Sequence, residues 1–263
     1  MALRAGRAAP GARRGGAEDE RSHRRVLAAL RAVQRDIRAF RPRGFGPPVH
    51  GAPVASRILL VGQAPGPHEA RIGRPFAWTA GRTLFAWLER ATGAGEAVVR
   101  ERIYIAAVVR CFPGKTTSGG DRVPTPGECA RWRGYLEREV AILRPRLVLP
   151  VGRLAISEVL GADAAESPLA EVVGREYRLR YHGVEVDAIP LPHPSGASTW
   201  FKMEPGRSLL DRALALVASH PEVRRALGRP RALRARAGSR IRGAREQRPG
   251  RSPRRAGATR GAR

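Results

Sequence analysis

Short apolar runs alternate with amphipathic segments between residues 57 and 220, and this alternation limits the fold more than any other feature of the sequence. Continuous runs rich in Val, Ile and Leu, which predict buried strands, lie at 57–62, 103–109 and 147–151. Apolar residues at helical spacing predict helices at 79–92, 126–143, 154–160 and 207–219. A hairpin is predicted at 177–181 and 184–189. Because continuous apolar strands are covered on both faces, the sequence predicts an α/β three-layer sandwich around a central, mainly parallel four-stranded sheet.

The two ends of the chain differ in composition from its centre. Residues 229–263 hold about thirteen arginines and a single acid, Glu246, with few large apolar side chains. Such a segment cannot bury enough surface to offset its ordering entropy. We therefore expect a disordered basic N-terminus over 1–18, a folded domain over 19–224 that opens with a helix at 19–40, and a disordered Arg-rich tail over 225–263.

Charge and cysteine content narrow the classes of protein. The formal net charge of +26 favours polyanionic partners because neutralised phosphates release counterions, although a GC-rich gene also yields abundant arginine without any ligand. No run of about 18 apolar residues is present, so no membrane span is expected, and the N-terminus lacks the apolar core of a secretory signal. Cys111 and Cys129 are too few for a disulfide framework or for an iron–sulfur cluster, which takes about four ligands.

Unusual loops follow the predicted strands and carry the candidate site residues. Residues 62–76 include a Gly/Pro-rich turn whose backbone can approach a ligand closely, although such turns also serve as ordinary strand-to-helix connections. Residues 111–126 form a long, polar, Gly-rich loop. In the third loop, His193 stands between two prolines, which suits either an aimed side chain or a rigid turn with a solvated histidine. Because ligands bind at the carboxyl ends of parallel strands, we expect these loops to form the site.

Motifs in these loops occur together in a fixed order. The first comprises Gly62-Gln63-Ala64-Pro65-Gly66, Glu69, Gly73-Arg74-Pro75-Phe76 and Ala80-Gly81. The others are 103–111 with Pro124-Thr125-Pro126, then Val151-Gly152-Arg153, then His193-Pro194-Ser195. Together, over roughly residues 57–219, they resemble the uracil-DNA glycosylase superfamily, most closely its bacterial and archaeal families four and five. Each motif alone is weak, but their order and spacing indicate this family.

The resemblance implies an activity and a set of site residues. Such enzymes extrude a damaged base into a pocket and hydrolyse its N-glycosidic bond. The residues implied to contact the base are Gln63, Ala64, Phe76 and Ala107, with Phe76 as the stacking aromatic. Those implied to hold flanking phosphates are Pro65, Gly66 and Ser195. His193 matches the histidine that hydrogen-bonds the carbonyl oxygen of the departing base anion.

The sequence departs from the family where water is activated and where the base is read. The best-known family has an aspartate at the position of Ala64, and the replacement candidates here are Asp121, His68 and Glu69. Ala107 stands where family four has an asparagine that reads the uracil edge. Losing this amide should weaken discrimination between bases by roughly 1–3 kcal/mol, so we expect a wider range of deaminated bases.

A further departure concerns the four-iron cluster of families four and five. Only Cys111 falls on one of the four cysteine positions, and Trp132 occupies another, with Cys129 one helical turn earlier. We expect a protein with no cofactor and no bound metal, in which Trp132 and apolar neighbours fill the cluster space. The remaining histidines show no zinc spacing.

These features predict a DNA glycosylase that excises uracil or related deaminated bases in base excision repair. The alternative is a catalytically degenerate relative that binds DNA or lesions without excision, because a fold does not guarantee a function. The expected partners are uracil-containing DNA with a flipped nucleotide and, for the Arg-rich tail, nucleic-acid phosphates. We expect a monomer in the bacterial cytoplasm, associated with the nucleoid.

Overall fold

Successive apolar side chains along the central strands point to opposite faces of the sheet, where two separate layers of helices cover them. The computed structural model describes residues 11–196 and 198–228, with side chains from residue 18 onward. The strands are β1 (Ile58–Gly62), β2 (Tyr104–Ala107), β3 (Leu147–Pro150), β4 (Tyr177–Tyr181) and β5 (Val184–Ala188). The helices are α1 (Gly11–Ala39), α2 (Pro67–Ile72), α3 (Thr79–Thr92), α4 (Glu96–Arg102), α5 (Pro126–Leu143), α6 (Arg153–Leu160), α7 (Ala162–Glu166), α8 (Leu169–Val172), α9 (Gly206–Ser219) and α10 (Pro221–Leu227).

The strands form one mixed sheet in the order β2-β1-β3-β5-β4. All neighbours pair in parallel except β4, which runs antiparallel to β5. The predicted α/β sandwich with a mainly parallel sheet is therefore confirmed, but the count of four strands is wrong because both arms of the hairpin join the sheet. His182 and Gly183 turn this hairpin with φ of 44° and 78°, the left-handed pair typical of two-residue hairpins.

Each face of the sheet has its own core. Leu59 and Val61 of β1 pack in one buried cluster with residues of α1, α5 and α6. Ile58 and Leu60 pack in the other, with residues of α3, α4, α9 and α10. Because successive side chains of a strand point to opposite faces, one short apolar strand supplies both cores. None of the described helices has the length and apolar character that a membrane crossing requires.

The folded region extends beyond the predicted boundaries at both ends. Helix α1 begins at Gly11, so residues 11–18, which were expected to be disordered, are helical; no proline interrupts the chain between there and Ala39. Helix α10 continues to Leu227, past the predicted boundary at 224. The predictions of disorder for residues 1–10 and for the Arg-rich tail at 229–263 lie outside the described residues.

Parallel pairing brings the predicted site loops to one edge of the sheet. Beyond β2, the backbone N–H of Val108 donates to the carbonyl of Gly62 at 2.9 Å, and that of Val109 donates to Gln63 at 3.0 Å. Beyond β3, Val151 forms an isolated parallel bridge with Leu191. The loops that follow β1, β2, β3 and β5 therefore meet at the carboxyl ends of the parallel strands, where α/β sheets bind ligands.

Candidate active site

Every site residue predicted from the sequence lines one cavity of about 570 Å³ at this edge. These residues are Gln63, Ala64, Pro65, Gly66, His68, Glu69, Phe76, Ala107, Asp121, His193 and Ser195. A cavity of this volume is within the usual range for small-ligand sites. The structure thus brings the predicted residues together, while the function of each one stays a prediction.

The ring of Phe76 is fixed against the end of β1. A Cβ built on Gly62 would lie 2.8 Å from Phe76 Cζ, so only glycine admits the ring at this distance. The Phe76 backbone has φ of 51°, a left-handed conformation uncommon for a bulky residue. Arg100 stabilises this turn: its Nη2 donates to the Phe76 carbonyl at 2.7 Å and its Nη1 donates to the Pro75 carbonyl at 3.0 Å.

Arg100 is a positioning residue that the sequence did not single out. Its guanidinium pairs with Glu96 of α4 at 2.7 Å and stands 4.5 Å from the ring centroid of Phe85. The Arg100 side chain is only 14% exposed. Glu96 and Phe85 therefore hold the guanidinium in place while it donates to the carbonyls of the Phe76 turn. An i, i+4 Glu–Arg pair is visible in the sequence, but nothing there connects it to carbonyls 24 and 25 residues away.

His193 is held as a neutral imidazole with a known tautomer. Its Nδ1 accepts the backbone N–H of Ser195 at 3.3 Å, which leaves the proton of the neutral ring on Nε2. Burial lowers the pKa of His193, and the nearby Asp121 carboxylate opposes this only in part. The ring therefore offers a single N–H donor and carries no charge at neutral pH.

Gly152 makes room for this imidazole. It follows β3 with φ of 87°, and a Cβ at this position would come within 2.8 Å of His193 Cδ2. Glycine is thus required both by the backbone conformation and by the close approach of the ring. Through this contact, the motif Val151-Gly152-Arg153 borders the His193 ring in the site.

Two candidate carboxylates converge on Gly66. Glu69 is buried, and its Oε1 accepts the backbone N–H of Trp78 at 3.1 Å. Asp121 Oδ1 accepts from Lys115 Nζ at 2.6 Å. The second oxygens, Glu69 Oε2 and Asp121 Oδ2, lie 2.8 and 3.3 Å from the point that a Gly66 Cβ would occupy. In each carboxylate, therefore, one oxygen accepts a hydrogen bond from the protein and the other oxygen faces Gly66.

His68 is arranged differently from the other candidates for orienting water. Its ring stacks on Trp78, with centroids 4.2 Å apart and an interplanar angle of 16°. Its Nδ1 accepts from Arg71 Nη2 at 3.1 Å. The imidazole lines the cavity but is engaged with these neighbours, so the two carboxylates are better placed than His68 to hold a water.

The loop that carries Asp121 is fastened at its base. Arg122 Nε donates to the Pro113 carbonyl at 3.1 Å, and its Nη1 and Nη2 form a bidentate pair with Glu128 at 2.9 and 2.7 Å. The hydrogen bonds from Arg122 lower the pKa of Glu128 to about 2, so the pair stays ionised across the useful pH range. Glu128 also completes a capping box with Thr125 at the start of α5.

The residues at the family's cluster positions do not fit an iron–sulfur cluster. The whole chain contains two cysteines, whereas such a cluster takes about four thiolates. Cys111 is buried, its Sγ donates to the Gly46 carbonyl at 3.3 Å, and burial raises its pKa to about 11, which keeps the thiol protonated. Trp132 packs edge-on against Phe40 with ring centroids 4.9 Å apart. Cys111 and Trp132 belong to one buried core cluster, and Phe40 packs against it.

A histidine and two carboxylates come together away from the cavity. Ligand atoms of Glu176, Asp187 and His220 lie within 4.8 Å of one another. His220 Nδ1, however, accepts the backbone N–H of Glu222 and caps α10, so the neutral ring carries its proton on Nε2, next to Asp187 at 3.3 Å. This tautomer offers no lone pair to a metal, and the arrangement fits a helix cap.

Comparisons with known proteins agree with this geometry. The family model of the uracil DNA glycosylase superfamily matches residues 48–218. The chain is 30% identical over 151 residues to a type-4 uracil-DNA glycosylase of Sulfurisphaera tokodaii. This alignment covers 57% of this chain and 64% of the relative. It is 36% identical over 102 residues to one of Thermotoga maritima, covering 39% and 48%. A type-5 uracil-DNA glycosylase of Pyrobaculum aerophilum is 28% identical over 188 residues, covering 66% and 78%.

The matched region is the region that builds the cavity. The chain spans about half to two thirds of the length of the type-4 relatives that it matches. Within this span lie the sheet, the loops at its carboxyl edge and every predicted site residue. Since the family model covers well over half of the sequence, the chain belongs to the uracil DNA glycosylase superfamily.

Proposed function

We propose that this protein is a DNA glycosylase that excises uracil or a related deaminated base by hydrolysing the N-glycosidic bond. The observation that carries the proposal is the meeting of one neutral imidazole, one aromatic ring and two carboxylates in a single cavity. The relatives named type-4 and type-5 uracil-DNA glycosylase support it.

The reaction needs three things that these residues can supply. As the bond between C1′ and the base nitrogen breaks, its electron pair moves to the base, and negative charge develops on a carbonyl oxygen. The Nε2–H of His193 can donate to this oxygen without an opposing proton transfer. Water adds to C1′ and gives up a proton, for which a carboxylate beside Gly66 is the acceptor. Phe76 holds the base by stacking.

The wall beside the base favours a broad substrate range. Ala107 pairs in register with Gly62 at the ends of their strands and presents only a methyl group. A methyl group cannot distinguish the donors and acceptors of different base edges as an amide does. The proposed substrates therefore include uracil, hypoxanthine and xanthine.

The proposal is tested with purified protein and oligonucleotides that carry a single uracil, in single-stranded and duplex form. Excision should leave an abasic site that alkali cleaves, and an oligonucleotide with thymine at the same position serves as the matched control. A panel with hypoxanthine and xanthine then measures the range of bases. Absence of cleavage from both uracil substrates at excess protein contradicts the proposal.

A second candidate function is binding without excision, favoured by the methyl groups at Ala64 and Ala107. Neither position offers the carboxylate or amide that the better-known relatives are expected to use. A degenerate relative should retain uracil-containing and abasic DNA in a binding assay while releasing no free base. Release of base at catalytic turnover excludes this alternative.

Replacement of Phe76 by alanine should lower the excision rate at subsaturating substrate by about tenfold. The reason is the loss of base stacking, which contributes about 1–3 kcal/mol per base. Phe76→Tyr keeps the π face and should retain most of the activity. An Ala variant as active as the wild type, with an unchanged melting temperature, would show that Phe76 does not contact the base.

Deletion of residues 229–263 should weaken DNA binding and reduce its salt dependence while sparing turnover at low salt. About thirteen arginines are removed, and each phosphate contact that they make adds nearly one unit to the slope of log affinity against log salt. The measurement is the dissociation constant for undamaged DNA at several salt concentrations. Loss of turnover at low salt would contradict a tail that serves only as a phosphate tether.

A further inference from the structure

Trp78 stands at the rim of the cavity with its indole open to solvent. It is 40% exposed, whereas Trp87 and Trp132 are 8% and 2% exposed and lie in the two cores. Large aromatic side chains are usually buried, and an exposed one beside a ligand cavity needs an explanation. The contact to Glu69 uses only the backbone N–H of Trp78, so this bond does not explain the indole.

The indole has two planar neighbours, His68 and Arg82, and the group of His68, Trp78 and Arg82 is here called the rim platform. The imidazole of His68 lies parallel to the indole at 4.2 Å. The guanidinium carbon of Arg82 stands 5.5 Å from the indole centroid. Arg71 fixes the tilt of the imidazole through its bond to Nδ1. These contacts favour one arrangement of the three groups, and an arrangement that is present before binding reduces the entropy cost.

The charge around the platform suits a polyanion. Among the residues that the structure describes, neither Arg71 nor Arg82 forms an ion pair with a carboxylate, whereas Arg90, Arg100 and Arg138 each do. Unpaired guanidinium groups beside exposed aromatic rings are the combination that single-stranded nucleic acid binds, through phosphate contacts and base stacking.

The position of the platform relates it to the cavity. Trp78 follows Phe76 by two residues, and both line the cavity together with His68. A strand whose nucleotide enters the cavity must pass this rim with its neighbouring nucleotides. A neighbouring base that is unpaired has a free face for stacking, whereas a base inside a duplex is already stacked on both sides.

We propose that the rim platform binds an unpaired base of the nucleotide next to the one in the cavity. It is a second nucleobase subsite, and it directs the enzyme to single-stranded DNA or to locally opened duplex. The inference extends the proposed function, but it requires only that single-stranded DNA crosses the rim.

The test compares two oligomers of equal length and charge that contain no damaged base. One is a short oligothymidylate, and the other is a chain of abasic tetrahydrofuran nucleotides, which has phosphates but no bases. Trp78→Ala should weaken binding of the oligothymidylate by about tenfold, since it removes one base-stacking surface, and should leave binding of the baseless chain unchanged. Trp78→Phe should restore most of the affinity.

The controls separate stacking from folding and from excision. Met203→Ala removes another exposed apolar side chain, 58% exposed and outside the cavity lining, and should change neither affinity. Melting temperatures identify a variant that has lost its fold, in which case Trp78→Leu, which keeps apolar bulk without an aromatic face, replaces Trp78→Ala in the comparison. Equal losses for both oligomers, or no loss for either, overturn the platform. If binding depends on the bases but no uracil is released, the proposal for the rim platform stands and only the proposed glycosylase function is contradicted.

Discussion

Replacement of His193 by alanine is expected to slow base release by a factor of about 100 to 1,000, which is typical of losing one donor to a developing anion. Among the described residues that line the cavity, only His193 has its tautomer fixed by a backbone N–H of its own loop. That N–H belongs to Ser195. Single-turnover release of uracil measures the chemical step directly. A rate within a few-fold of wild type would mean that the anion is stabilised from elsewhere.

The pH profile provides an independent test of the same donor. Because burial lowers the pKa of His193 below its ordinary value of 6.5, the ring stays neutral in solutions where a free histidine is half protonated. Protonation would break the bond in which Nδ1 accepts from Ser195. The acidic limb of the activity profile should therefore have its midpoint below pH 6.5, where the ring becomes charged. A rate that halves near pH 6.5 through this group contradicts a buried neutral ring.

His50 is the matched control for the histidine substitution. It also lines the cavity, but its Nδ1 donates to the Gly51 carbonyl at 2.8 Å and its Nε2 accepts from Arg38 at 2.7 Å. Both ring nitrogens are thus occupied by the protein. His50→Ala should alter the rate by no more than about threefold, whereas His193→Ala removes an Nε2–H donor that has no acceptor among the described residues.

The sequence predicted which residues meet because the order and direction of the strands determine which loops share an edge of the sheet. Once 57–62, 103–109 and 147–151 are recognised as parallel strands, the loops after them must share one edge, and His193 joins them through the next strand. Apolar periodicity also placed α3 and α5 correctly, at 79–92 and 126–143.

The orientation of side chains within that edge could not be predicted in the same way. In the sequence, His68 was a candidate for orienting water beside Asp121 and Glu69, and only its stacking on Trp78 turns it to the rim. Arg100 reaches the Phe76 carbonyl from a helix that the periodicity did not indicate, because Val99 is its only buried side chain. Such contacts depend on three-dimensional packing between segments that carry no local signal.

Asp121→Asn is expected to slow excision by about 100-fold, the lower end of the range for losing a general base. Asn keeps the size of the side chain and an acceptor for Lys115, but it cannot take a proton from water. Since the Asp121 carboxylate raises the pKa of His193, its removal should also move the acidic limb of the pH profile to lower pH. This shift shows that the carboxylate acts on His193, and an unchanged melting temperature shows that the substitution has not disturbed the fold.

Glu69→Gln is the paired variant that decides between the two carboxylates. Glutamine keeps an oxygen to accept the Trp78 N–H, so the turn should remain intact. Glu69 is buried, whereas the Asp121 side chain is 46% exposed and lies close enough to His193 to act on its titration. We therefore expect Glu69→Gln to cost less than tenfold. A reversal, with Asp121→Asn nearly active and Glu69→Gln slowed about 100-fold, would assign the water to Glu69, because only these two carboxylates direct a free oxygen to Gly66 among the described residues.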